Sequence, residues 1–140
     1  TLELRNIHPD IYWDYGMALG FAGKYKEAAA AMQKARQAEG APAGRLTGLQ
    51  AWFAGEFDQA RKDAPGLEKA VTEGREDHMD AGRFYSMIGD KEKALVHLDT
   101  AIGIHEPQAF LIKCDPRFKN LRADDRYLSL IRRVGLDPEF

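Results

Sequence analysis

The sequence predicts an all-α chain built from three repeated helical hairpins and a helical C-terminal cap. Three observations carry that prediction. A six-residue pattern recurs as Gly23-Lys24-Tyr25-Lys26-Glu27-Ala28, Gly55-Glu56-Phe57-Asp58-Gln59-Ala60 and Gly89-Asp90-Lys91-Glu92-Lys93-Ala94, with the glycines 32 and 34 residues apart. Apolar residues on both sides of each pattern follow helical spacing, and no stretch alternates as a strand would. Near the C-terminus, Asp115-Pro116 and Asp124 read as two helix starts, because aspartate caps free amides and proline suits the first helical position.

Each glycine marks a turn, since glycine tolerates the left-handed conformation that ends a helix. The alanine five residues later lets the next helix pack closely. The first helix of repeat one carries Tyr12, Tyr15, Gly16 and Leu19. The equivalent places hold Gly44, Thr47, Gly48 and Ala51 in repeat two, and His78, Ala81, Gly82 and Tyr85 in repeat three. The recurring Gly16, Gly48 and Gly82 predict close helix crossings. The second helices show one-face stripes: Tyr25, Ala28, Met32 and Ala35, then Ala94, Leu98, Ala101 and Ile102.

Repeat two departs from this pattern. Pro65-Gly66 interrupts its second helix, and proline removes a backbone donor and clashes with the preceding turn. The helix beginning near Phe57 is therefore expected to kink or to end by Ala64, with a separate turn or helix after it. In the cap, a short helix should run from Asp115 to near Arg122. A second starts at Asp124, with Asp125 in the first turn, where negative charge is favoured. Tyr127, Leu130, Ile131 and Val134 give it one apolar face, and Gly135 stops it. Phe118 and Leu121 face the shorter helix inward. The boundaries are a lead-in at 1–8, repeats at about 9–40, 41–74 and 75–105, and a cap at 106–140.

The 34-residue period and the small-residue register resemble the tetratricopeptide repeat (TPR), whose hairpins stack into an α-solenoid. The segments "LGFAGKYKEAAAAMQKARQAEGAP", "GDKEKALVHLDTAI" and "FLIKCDPRFKNLRADDRYLSLIRRVGL" resemble a group of bacterial TPR-containing signalling proteins. The last is the most specific; Cys114 and Asp125 stand where that group has Val and Pro. The resemblance runs from Pro9 onward. It implies a regulatory or sensory region of a larger protein, beside a winged-helix, nucleotide cyclase or Ser/Thr kinase domain. Thr1 in place of an initiator Met fits a segment of a longer chain.

Composition narrows the function. The 140 residues are 30% charged, with a formal net charge of −2. A general nucleic-acid binder needs an excess of Lys and Arg facing phosphates. Cys114 is the only cysteine, so no intrachain disulfide or all-cysteine metal site can form. A lone thiol fits a reducing compartment, and the expectation is cytoplasmic, with the periplasm left open. No apolar stretch approaches the roughly 20 residues that span a bilayer.

No enzyme constellation emerges. Ser86 and Ser129 have no glycine elbow, no glycine-rich phosphate loop is present, and the histidines (His8, His78, His97, His105) lack zinc-site spacing. His97 and His105, eight residues apart, could share a helix face with Asp99 or Glu106 nearby; the four histidines read as helix-surface residues. Cys114 reads as buried packing. Residues 113–133 hold Lys113, Arg117, Lys119, Arg122, Arg126, Arg132 and Arg133 against Asp115, Asp124 and Asp125. That excess of four positive charges is read as a solvated outer face of the cap. No cofactor, metal or catalytic residue is predicted.

The repeat register assigns a concave face to Trp13, Met17 and Phe21, then Arg45, Leu49, Trp52 and Phe53, then Met79, Arg83 and Met87. Trp and Arg are favoured at binding hot spots, and Met adapts to varied partners. The same positions read equally well as core. The expected function is non-catalytic protein–protein interaction, with a protein or peptide partner and room for homo-oligomers. The alternative is a small-molecule sensor using the groove as its pocket. A clamp for chaperone-tail carboxylates is not expected, because Trp13, Met17, Leu46, Glu76 and Asp80 stand where its cationic and amide donors would be.

Overall fold

The structure, a computed structural model, describes residues 8–38 and 51–140. All regular structure among the described residues is helical. The chain divides into two compact units, Thr1–Ala64 and Pro65–Phe140.

In the first unit, α1 (Pro9–Phe21) packs against α2 (Tyr25–Gln37) as an antiparallel hairpin. Gly16 makes this possible: a Cβ there would lie 2.8 Å from Met32 Cε. Ala28, Ala31, Met32 and Ala35 form the buried side of α2. Residues 51–53 are helical and lead through Gly55 into α3 (Phe57–Lys62). α3 stops at Asp63, and α4 (Ala64–Thr72) begins one residue later with Pro65 in its first turn. The break falls where Pro65-Gly66 predicts it. Proline is tolerated in a first turn because its missing N–H would have no partner there.

In the second unit, α5 (His78–Ile88) pairs with α6 (Lys91–Gly103). Gly82 repeats the role of Gly16, with a Cβ position 2.8 Å from Leu98 Cδ2. Two 3-10 turns follow, at Ala109–Lys113 and Pro116–Leu121, and then α7 (Asp125–Arg133). Asp115 and Asp124 cap as expected, accepting from the amides of Arg117 and Arg126 at 3.0 and 2.9 Å. The segment after Asp115 tightens into 3-10 geometry over only six residues. It packs on α5, while α7 packs on α6. Phe118, Leu121, Tyr127, Leu130 and Ile131 are buried, and the Tyr127 hydroxyl donates to the Ile112 carbonyl.

Helix ends share one closure. The amides of Lys24, Glu56 and Asp90 donate to the carbonyls of Leu19, Ala51 and Tyr85, five residues back. Those of Gly23, Gly55 and Gly89 donate three residues back, at φ of 75, 81 and 87°. This pair of bonds satisfies carbonyls that the helix leaves open. It returns at Gly74 and Gly135, and at His105, the one non-glycine with positive φ among the described residues. Ala28, Ala60 and Ala94 are each fully buried five residues after a turn glycine.

Candidate interaction surface

In the first unit, the face predicted for partner binding is aromatic. Phe53 is its hub. Its ring meets Trp13, Phe21 and Trp52 edge-on at 6.4, 5.1 and 5.3 Å between centroids. Trp52 continues to Phe57 at 5.5 Å, and Phe57 to Tyr25 at 5.8 Å. Edge-to-face rings at these separations add to area burial because the positive edge of one meets the negative face of the next. Gly20 is why Phe53 sits so deep: a Cβ there would lie 2.6 Å from Phe53 Cδ1 and 3.0 Å from its carbonyl oxygen.

Burial separates the members. Phe53 is fully buried, Trp13, Met17 and Trp52 are half-buried, and Phe21 is 45% exposed. Tyr25 and Phe57 are also exposed. Phe53 is therefore core and not groove, because Gly20 opens the backbone of α1 to its ring. Ile11 and Tyr15 are exposed as well; Tyr15 occupies the register position that buried Ala81 holds in the third hairpin. Arg45 and Leu49, with Gly44, Leu46, Thr47 and Gly48, lie outside the described residues.

In the second unit, the predicted groove residues Met79, Arg83 and Met87 are interior. The cap crosses the first helix of its hairpin. The Ser86 hydroxyl donates to the Arg117 carbonyl at 2.8 Å, and the Asn120 amide donates to the Ser86 carbonyl at 3.1 Å. Arg83 is 3% exposed. It donates to Asp115 at 2.8 Å, and to Asp80 and Gln108 at 2.7 Å. Burial tends to raise the Asp115 pKa, but Arg117, gripping both carboxylate oxygens, and Arg83 outweigh it and hold it below the ordinary value. Arg83 thus joins a buried ion network. Its partners lie up to 32 residues away in sequence.

Part of the basic excess of the cap is met by Glu92 and Asp99 of α6. Arg117 pairs with Asp115, Arg126 with Asp124 and Glu92, and Arg133 with Asp99. Lys113 and Arg122 lie over the ring of Phe140. Cys114, expected to be buried, is exposed, because the 3-10 turn before it turns Ile112 inward instead.

A polar cluster that periodicity misses lies between α4, α5 and α6. His97, read as a surface residue, is 7% exposed. Its Nε2 is 3.0 Å from Glu68 Oε1, and its Nδ1 is 3.0 Å from Nδ1 of His78. Its ring lies parallel to Tyr85 at 5.5 Å between centroids. The buried Tyr85 hydroxyl approaches Glu68 without a well-formed hydrogen bond. Burial and that carboxylate push its pKa above the ordinary phenol value. His105 does not share the face of His97, because α6 ends at Gly103 and His105 is in the turn. Glu106 reaches back to the start of α5, where its two oxygens accept from the amides of His78 and Met79 at 2.7 and 2.8 Å. Helical spacing on α6 could have flagged His97, which follows Ala94 by three residues and precedes Ala101 by four and so shares their buried face.

Two surface pockets lie among the described residues. One, of about 540 Å3, lies in the first unit against Met32, Arg36, Ala51, Glu56, Gln59 and Asp63. The other, of about 500 Å3, lies between α6 and α7 against Leu95, Val96, Ser129 and Leu130, with Glu92, Asp99, Asp125 and Arg126 at its border. Neither is lined by the predicted groove residues. Among the described residues, no helix is long and apolar enough to cross a membrane, and no group of three or more His, Cys, Asp or Glu side chains is arranged to hold a metal ion. Comparison with known proteins gives no matching family model, curated protein or solved structure.

Proposed function

We propose that the chain is a TPR-like repeat module that docks a protein or peptide partner, without catalysis of its own, as the regulatory or sensory region of a bacterial signalling protein. The observation that carries this reading is the aromatic face of the first unit. Phe21, Tyr25 and Phe57 are exposed beside half-buried Trp13 and Trp52. Rigid aromatic side chains bury large area at low entropic cost, which is why Trp and Tyr dominate hot spots. They stand on a framework of glycine-closed hairpins whose recurring turns and buried alanines support the repeat reading.

Both tryptophans of the chain lie in this face, so intrinsic fluorescence reports on its occupancy. Peptides selected against the chain from a displayed library should shift the Trp emission to the blue. Phe21→Ala and Trp13→Ala should each weaken their binding more than tenfold. Their urea midpoints should stay close to that of the parent. Selected peptides that bind both variants as well as the parent would defeat the reading.

A small-molecule reading would use not the groove but the first-unit cavity, where Met32 and Ala51 face Arg36, Glu56 and Asp63. A compact ligand held there would be weakened by Arg36→Ala and left unaffected by Phe21→Ala.

A further inference from the structure

We infer that His78 and His97, anchored by Glu68, form a proton-operated latch that joins α4, α5 and α6, closed while at most one ring is cationic and opened when both are. The geometry counts the protons. The Glu68 side chain is 38% exposed, and a solvated carboxylate is ionised at neutral pH. A carboxylate only accepts, so His97 Nε2, 3.0 Å away, carries a hydrogen. Two Nδ1 atoms 3.0 Å apart can share one proton, one donating and the other accepting. With His97 neutral, His78 is the donor. An added proton can settle on His78 Nε2 with both hydrogen bonds intact. A further proton has only His97 Nδ1 left to bind, and it then faces the Nδ1–H of His78. The hydrogen bond becomes a contact between two cations.

The surroundings favour the first charge and not the second. Glu68 faces the pair from α4. From α5 comes Tyr85, stacked on His97, and from the turn after α6 comes Glu106, holding the amides of His78 and Met79. Asp77 precedes His78 in the chain. From α6 come Asp90 and Lys93, the latter over the Tyr85 ring at 5.0 Å. His97 is buried and cannot rotate into water, so His78 must withdraw. His78 is the first residue of α5. Opening therefore loosens the first turn of α5.

Imidazole 15N spectra and amide exchange test this together. His8 and His105, both exposed, serve as internal references. At pH 8, one of the paired Nδ1 atoms should be protonated, the other should be an acceptor, and His97 Nε2 should be protonated. Between pH 8 and 5, the protection factors of Ala81 and Gly82, corrected for intrinsic exchange, should fall at least tenfold. In His78→Asn, whose side-chain amide can donate as Nδ1–H does but takes up no second proton, they should stay level. Level protection in the parent, an equal fall in the variant, or spectra showing both Nδ1 atoms unprotonated at pH 8 would each overturn the latch. The spectra of the parent decide the matter even if the variant fails to fold.

Discussion

The α1–α2 and α5–α6 hairpins share one register at their crossing and turn. Gly16 accepts Met32, and Gly82 accepts Leu98, each partner sixteen positions along. Gly23 and Gly89 close the turns with the same two bonds, and Ala28 and Ala94 vanish from the surface. Their first helices nevertheless have opposite fates. α1 leaves Ile11, Tyr15 and Phe21 in the open, whereas residues 79 and 81–87 of α5 are all buried. The cap makes the difference in α5: the turn at Pro116–Leu121 lies on it and supplies Phe118, Leu121 and the Asp115 carboxylate. A repeat thus fixes how a hairpin packs within itself. What the hairpin shows to the outside is decided by whichever segment lands on its first helix.

The sharpest way to break this comparison is to empty the cap. Phe118 is fully buried, so Phe118→Ala should cost about 3–5 kcal/mol. Phe21→Ala, removing an exposed ring, should cost about 1 kcal/mol or less. Urea midpoints of the two variants check the contrast; comparable losses would mean that α1 is covered as fully as α5. Asp115→Ala belongs near the larger value. It removes an N-cap worth about 1 kcal/mol and also takes from buried Arg83 one of its carboxylates, and breaking a buried pair costs about 3–5 kcal/mol.

The two crossing glycines come next. Gly82→Ala drives a methyl into Leu98 Cγ and Cδ2, at 2.9 and 2.8 Å, beneath a packed cap, and should destabilise by about 1–3 kcal/mol. In Gly16→Ala the nearest atom is Cε at the flexible end of Met32. That side chain can swing aside, and the gain in helix propensity, up to about 1 kcal/mol, should leave the net change small. Thermal melts of the two variants should therefore separate two glycines that sequence alone makes equivalent.

Acid should act on the capped hairpin through Asp115. Its folded pKa is lowered, so its contribution is present above the ordinary aspartate value and disappears as pH falls through the folded one. Below about pH 4, the difference in urea midpoint between the parent and Asp115→Asn should shrink progressively. Asp124, drawn down to about 2 by Arg126, should show the same trend in a carboxyl 13C titration. The smallest effect belongs to Arg126→Ala. Its pairs with Glu92 and Asp124 are exposed, and such pairs are worth about 1 kcal/mol or less. A larger loss would give the outer seam of α6 and α7 a share in holding the cap.

Local signals were legible in the sequence. Turn glycines, the stop before Pro65 and the caps at Asp115 and Asp124 each depend on residues within a few positions. The turns at Gly23, Gly55, Gly89 and Gly135 fall where the sequence puts them, whereas the left-handed turn at Gly74 is not among those it flags. The stripe on α5 was legible too, but its environment was not. Met79, Arg83 and Met87 mark one helical face, and helical spacing cannot say whether solvent or a cap lies against it. The ion network of Arg83 and the Glu68–His97–His78 chain escaped for the same reason. Apart from Asp80 beside Arg83 and Arg117 beside Asp115, their members are 19 to 32 residues apart. Polar residues on an apolar face are the only trace such pairings leave.

The turn at Gly89 has a consequence for chirality. At φ +87° a Cβ of the natural hand would meet nothing within 4 Å. The site therefore has room for a side chain but is the wrong hand for an L-residue. Gly89→Ala would be resisted by its own backbone, at roughly 1–2 kcal/mol, with no neighbour to blame. For a D-amino acid the same angle is ordinary. D-alanine placed there by chemical synthesis would suit the backbone of the turn and narrow the freedom of the unfolded chain, which glycine leaves widest. The mirror-image substitution is the one expected to strengthen the hairpin.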